Sequence, residues 1–140
     1  YAVGDSGAYA SVGTKVMERV AGHASGAYHF PCVNLEALTV YTNNIPCGAM
    51  RGFGANQVAF ALEGCIDDLC KQAGFDRWQF RYDNALCEGK MTATGQVLHK
   101  GVGVRETLLA VKPYYEKGCF ASWLDRNGAR GSYNSHSDFI

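Results

Sequence analysis

The sequence carries no surplus of charge: its 13 Lys and Arg balance 13 Asp and Glu, for a formal net charge of zero. Dedicated binders of nucleic acid or of membrane surfaces normally show an excess of cations, so neither partner is expected. No stretch approaches the roughly 18 apolar residues that a membrane-spanning helix requires. The six cysteines, at positions 32, 47, 65, 70, 87 and 119, include no Cys-x-x-Cys pair. No secretory signal opens the chain, so the thiols are expected to be reduced and the protein cytoplasmic. The cysteine spacings of iron–sulfur clusters and a flavin fingerprint are missing too. There is no initiator methionine, and the opening Tyr1-Ala2-Val3-Gly4-Asp5-Ser6-Gly7 reads like the interior of a longer protein.

What is there suffices for a core. The chain has 140 residues, 47% of them hydrophobic, the scale of one ordinary domain. Residues 4–7 read as a turn. Val12, Val16 and Val20, with Met17 beside them, space a helix over residues 11–24, closed by Gly26 and Pro31. Leu38-Thr39-Val40-Tyr41-Thr42 alternates and is rich in strand formers, and Asn43-Asn44-Ile45-Pro46 is turn material. The strongest pattern follows: Val58, Leu62, Cys65, Ile66, Leu69, Cys70 and Ala73 form a helical stripe, with Asn56 expected as N-cap and Gly74 as the stop. Asp76 caps a further helix over residues 77–86, with Trp78, Phe80 and Tyr82 to pack. Residues 89–103 read as a loop. A helix over residues 105–117 is expected to be kinked or shortened by Pro113, and the polar tail over 127–140 to fray. One or two strands cannot make a self-sufficient sheet, which predicts an α+β fragment: helices with a short mixed sheet and a glycine-rich loop.

That loop is Gly48-Ala49-Met50-Arg51-Gly52-Phe53-Gly54. Its glycines permit positive φ and let backbone N–H groups approach a ligand. The helix after it offers unpaired donors and a positive partial charge, which suit phosphate or oxo groups. Arg51 adds a planar five-donor fork, and Phe53 a flat apolar face. A plain structural turn is the competing reading. Arg51-Gly52-Phe53-Gly54 also matches half of an RNA-recognition sheet motif, but Ala55, Asn56 and Val58 break the other half. No Gly-Lys-Ser/Thr follows, so it is not a nucleotide P-loop. His29 and Cys32 are spaced like metal ligands, but two residues make no metal site. His23 reads as helix packing and Gln57 as support for the loop or helix start.

Tyr41-Thr42-Asn43-Asn44, the loop itself and Gln57 together resemble the molybdenum-binding subunit of the xanthine dehydrogenase and aldehyde oxidase family. The resemblance extends upstream through Asp5-Ser6-Gly7-Ala8-Tyr9-Ala10-Ser11, Met17-Glu18-Arg19 and His23. Downstream it takes in Phe80-Arg81-Tyr82-Asp83-Asn84-Ala85-Leu86, Gly95-Gln96 and Glu106-Thr107-Leu108. It covers roughly residues 4–117, and the stretch from Gly118 onward departs from the pattern.

The resemblance implies a molybdopterin cofactor carrying molybdenum, with or without a cytosine dinucleotide. It implies hydroxylation of purines or related N-heterocycles with oxygen taken from water. Arg51 matches the arginine beside the cofactor, Phe53 the phenylalanine against the substrate ring, and Arg19 the arginine that binds the purine and steadies developing negative charge. Arg19 stands 32 positions before Arg51, as in xanthine-type members; its competing reading is a stem laid over apolar helix surface. The family's catalytic glutamate lies in a later segment that this sequence does not contain, so no catalytic residue and no direct metal ligand is assigned here, and the chain alone is expected to be inert. By the same resemblance, residues 1–89 end a first molybdopterin-binding subdomain, 90–126 connect to a second, and 127–140 form a frayed or truncated tail. The expected partners are the remainder of the molybdenum-binding subunit, iron–sulfur and FAD-carrying subunits or domains, and a small heterocyclic substrate. An aldehyde-oxidising member, with Arg19 merely structural, and a non-enzymatic binding module are the alternatives.

Overall fold

The computed structural model describes residues 1–127, with side chains described through residue 119. The elements run β1 (Ala2–Asp5), α1 (Gly13–Gly22), β2 (Ala37–Val40), α2 (Ala55–Ala73), α3 (Arg77–Asn84) and α4 (Val104–Asn127). The α+β expectation holds. Residues 4–5, expected in a turn, instead end a strand: β1 pairs in parallel with β2, Ala2 opposite Ala37 and Asp5 opposite Val40. Parallel strands need a crossover connection, and α1 lies within it. Antiparallel pairing among the described residues is confined to isolated bridges, Tyr28 with Ala85 and Met91 with Val97. The sheet is therefore parallel rather than mixed.

Helix α1 buries Gly13, Met17 and Val20. It ends earlier than the valine spacing suggests, because His23, at φ −113° and ψ 9°, leaves helical geometry. Helix α2 places Ile66 and Cys70 in a small core with Tyr28, flanked by Leu62 and Phe80. Cys65 and Leu69, from the same predicted stripe, are exposed. Gly74 ends α2 in the left-handed conformation at φ 73°, as expected of a C-terminal glycine. The Asp76 carboxylate caps α3 by accepting from the Gln79 N–H at 2.7 Å.

A polar hub ties α2, α3 and the α1–β2 connection together. Arg81 donates from Nε to Glu63 at 2.8 Å and from Nη2 to Asp67 at 2.7 Å. The Tyr28 hydroxyl donates to the other Glu63 oxygen at 2.6 Å. Burial, reinforced by the Glu63 carboxylate, pushes the Tyr28 hydroxyl well above the usual phenol range. Burial opposes charge on Arg81, but its bonds to Asp67 and Glu63 outweigh this and hold the guanidinium protonated.

Helix α4 does not stop at Pro113 but runs through it to Asn127. An interior proline costs roughly 3 kcal/mol. Contacts with the α3 region on both sides of Pro113 oppose that cost. Trp78 Nε1 donates to the Leu108 carbonyl at 2.9 Å, the Lys112 ammonium lies 4.4 Å from the Trp78 ring centroid, and the Tyr115 hydroxyl donates to Asp76 at 2.9 Å. No helix among the described residues is long and apolar enough to cross a membrane. The tail expected to fray lies, beyond Asn127, outside the described residues.

Candidate functional site

The glycine-rich loop connects β2 to α2 through three successive left-handed residues: Gly52 at φ 87°, Phe53 at 51° and Gly54 at 112°. Two backbone bonds tighten it, Phe53 N–H to Met50 carbonyl (2.9 Å) and Ala55 N–H to Gly52 carbonyl (3.0 Å). Gly54 is buried. A Cβ there would strike the Val16 carbonyl oxygen and stand 3.1 Å from Val20 Cγ2. The loop thus seats its last glycine directly on the α1 backbone between Val16 and Val20, the stretch that carries Arg19. In this way the fold brings the two arginine-bearing segments, far apart in sequence, into contact.

Arg19 occupies the last turn of α1 and is exposed, as is Arg51, while Phe53 is half-buried. Among the described residues neither guanidinium has a carboxylate within ion-pair distance. The first turn of α2 is open as well. Gly54 occupies the N-cap position without a side-chain cap, and no bond within the described residues takes up the N–H groups of Asn56 and Gln57. Asn56, expected as the N-cap, lies inside the helix and reaches backward, its Nδ2 donating to the Arg51 carbonyl at 2.7 Å. The expectation failed because the left-handed Gly54 already occupies the cap position.

A latch that the sequence reading missed holds the strand side of the site. The Asp5 carboxylate accepts from Thr42 Oγ1 (2.7 Å), Asn44 Nδ2 (2.6 Å) and the Gly7 N–H (2.7 Å). These bonds, Thr42 first and then Asn44 and Gly7, hold the Asp5 carboxyl below the usual carboxylate range. Ser6 adds a bond from Oγ to the Val40 carbonyl at 3.0 Å. Asp-Ser-Gly and Thr-Asn-Asn are each turn-formers by composition; their mutual pairing is visible only once β1 lies beside β2.

Between β1, α1 and the start of α2 lies a cavity of about 350 Å³, lined by residues including Ser6, Met17, Val20, Gln57 and Val58, but not by Arg19, Arg51 or Phe53. His23 Nδ1 lies 3.0 Å from the Arg19 carbonyl of the adjoining α1, and His29 Nδ1 lies 3.2 Å from the Met91 carbonyl, far along the chain. Cys32 is exposed.

Guanidinium groups without carboxylate partners among the described residues, open helix N–H donors and a flat ring are group types that an anionic ligand with an aromatic neighbour needs. A family model described as the molybdopterin cofactor-binding domain matches residues 1–85. The chain belongs to that family. A nicotinate dehydrogenase large molybdopterin subunit from Eubacterium barkeri is 47% identical over 105 residues, which is 75% of this chain and 25% of that protein. A probable xanthine dehydrogenase subunit from Bacillus subtilis is 43% identical over 82 residues, 59% of this chain and 11% of that one. Among solved structures, the aldehyde oxidoreductase from Desulfovibrio gigas superposes with a TM-score of 0.74 at 28% identity, covering 93% of this chain and 14% of that one. The chain spans a quarter or less of the length of these relatives. It is similar to the molybdopterin-binding parts of larger proteins of the xanthine dehydrogenase and aldehyde oxidoreductase family.

The site's chemistry fits the cofactor this family is named for. A molybdopterin presents phosphate and oxo groups, and the open N–H donors at the start of α2 and the unpaired Arg51 are the donor types such groups need.

Proposed function

We propose that this chain forms one wall of the active site in a molybdenum hydroxylase acting on an electron-poor N-heterocycle, a purine or a nicotinate-like ring, in the cytoplasm. The observation that carries this reading is the seating of Gly54 on α1, which puts the Arg51–Phe53 loop against the stretch that bears Arg19. Arg51, with the open Asn56 and Gln57 N–H groups of α2, would hold the cofactor's anionic groups; whether the cofactor carries a cytosine dinucleotide does not alter this role. The molybdenum centre, when bound, would supply the redox chemistry for hydroxylation with oxygen from water. Phe53 offers the ring a flat wall. Arg19 binds the anionic or electron-rich edge of the substrate and counters negative charge that grows there toward the transition state, where an unpaired guanidinium helps most.

Residues 1–89 act in this reading as the end of a first cofactor-binding subdomain and 90–126 as the connection to a second. The catalytic base, the rest of the cofactor's grip and the iron–sulfur and flavin groups come from outside this chain. The names of two relatives, a nicotinate dehydrogenase and a xanthine dehydrogenase, support the heterocycle class.

In the complete enzyme, Arg19→Met lowers kcat/KM for the heterocycle by roughly 10²- to 10³-fold, the scale of losing one charge-stabilising donor, and lowers aldehyde turnover far less. Equal losses for both substrates would remove the role given to Arg19. They would favour the second reading, an aldehyde-oxidising enzyme, which the likeness to aldehyde oxidoreductase structures supports.

A further inference from the structure

We infer that Asn56 is the positioning residue of the Arg51–Phe53 loop: it fastens the loop from inside helix α2, and does not serve as a helix cap. The inference rests on the function proposed above only for its consequence in catalysis, and its physical core is independent of it. Three successive left-handed residues, one of them the non-glycine Phe53, form a backbone that does not hold itself. The two backbone bonds within the loop each close a single turn, the first around Arg51 and Gly52, and neither uses the Arg51 carbonyl. Among the described residues, the bond that joins the Arg51 peptide to α2 is the Asn56 Nδ2 donation to the Arg51 carbonyl at 2.7 Å.

The side chain lies so close over Gly52 that a Cβ on that glycine would strike the Asn56 amide. Gly52 therefore gives Asn56 its path, Asn56 gives Arg51 its fixed carbonyl, and the Arg51 and Phe53 side chains leave the loop in directions set by that closure. Asn56 is exposed, so replacing it creates no cavity.

The donor requirement separates this role from a helix-terminus role. Aspartate in the first turn is at least as good a neighbour for a helix start as asparagine, because its charge opposes the helix dipole. It has no N–H to give the Arg51 carbonyl and sets a carboxylate against that oxygen. Asn56→Asp and Asn56→Ala are therefore compared in the complete molybdenum-binding subunit that carries this chain. Hydrogen exchange is followed at the Phe53 and Ala55 amides, with the unfolding midpoint as control. Both variants are expected to exchange at least about fivefold faster at these amides, the opening expected from one lost hydrogen bond, while Asn56→Asp keeps the parental midpoint.

Parental exchange in Asn56→Asp, with only Asn56→Ala accelerated, would overturn the inference and make Asn56 a helix-terminus residue. Parental exchange in both would overturn it as well. In the cofactor-loaded enzyme the same two variants lose about tenfold in kcat/KM, as misplaced binding groups do. Faster exchange without that loss would uphold the fastening and sink the function assigned to the loop, so the two failures are distinguishable.

Discussion

The two halves of the molecule are stabilised in different ways. The half built from α2, α3 and Tyr28 closes on itself: Ile66, Cys70 and Tyr28 share a core, and Arg81 joins Glu63 and Asp67 beside it. The half built from β1, α1, β2 and the loop is held mainly by backbone and polar latches: the Asp5 carboxylate, the seated Gly54 and the Asn56 donation. Apart from Met17 and Val20, buried on α1, several of its large apolar side chains face outward, with Ile45 90%, Met50 73% and Tyr41 67% exposed. The difference shows where the chain is a scaffold and where it is an edge. The scaffold pairs its central arginine with two carboxylates, whereas the edge leaves Arg19 and Arg51 without carboxylate partners among the described residues.

If this contrast is right, the sharpest way to break it is at the junction of the halves. Gly54→Ala forces a Cβ onto the Val16 carbonyl at a φ that suits glycine alone, and is expected to cost about 2–4 kcal/mol in chemical denaturation. A cost below about 1 kcal/mol would mean that the loop is not seated on α1. Within the scaffold, Arg81→Met leaves the two half-exposed carboxylates of Glu63 and Asp67 without their guanidinium partner. The expected loss is about 1–3 kcal/mol of stability, discounted for that exposure, and exchange at the loop amides stays unchanged. Tyr28→Phe removes a single hydrogen bond of the same hub, and a loss of about 1 kcal/mol is expected by thermal denaturation.

The smallest effect is a pH effect at the edge. Because Asp5 titrates below its ordinary 3.8 when folded, its latch is fully present above that value and is lost as pH falls through the lowered one. A carboxyl-carbon NMR titration should place the Asp5 midpoint below 3.8; a midpoint at or above 3.8 would leave Thr42 and Asn44 without a charged anchor.

The same division decides what the sequence alone reveals. Helices α2 and α3 are legible because their signals are local: a repeating apolar stripe, Gly74 to stop one and Asp76 to start the other. Strand β1 is not, because Ala2-Val3-Gly4-Asp5 has little strand propensity of its own and is extended by pairing with β2. The run of α4 through Pro113 is hidden for a similar reason: the proline is a local stop signal, and the opposing contacts come from Trp78 and Asp76 on another part of the chain. At the site, residue types are readable and connections are not. Arg51 and Phe53 stand in a loop whose glycines announce it, and Arg19 is placed by resemblance to a known family. Asn56 looks like a cap to any rule that counts positions, and only the folded path over Gly52 shows whom it serves.

Trp78 carries one more consequence. Its indole stacks on Tyr82 at 5.1 Å, lies beneath Lys112 and donates to α4 through Nε1. The same ring that joins two helices is therefore an optical probe of their junction. With the chain's other tryptophan, Trp123, replaced by phenylalanine, the emission of Trp78 would shift toward the red as α4 lifts away and water reaches the indole. Separation of α4 from α3 could then be followed by fluorescence without any added label.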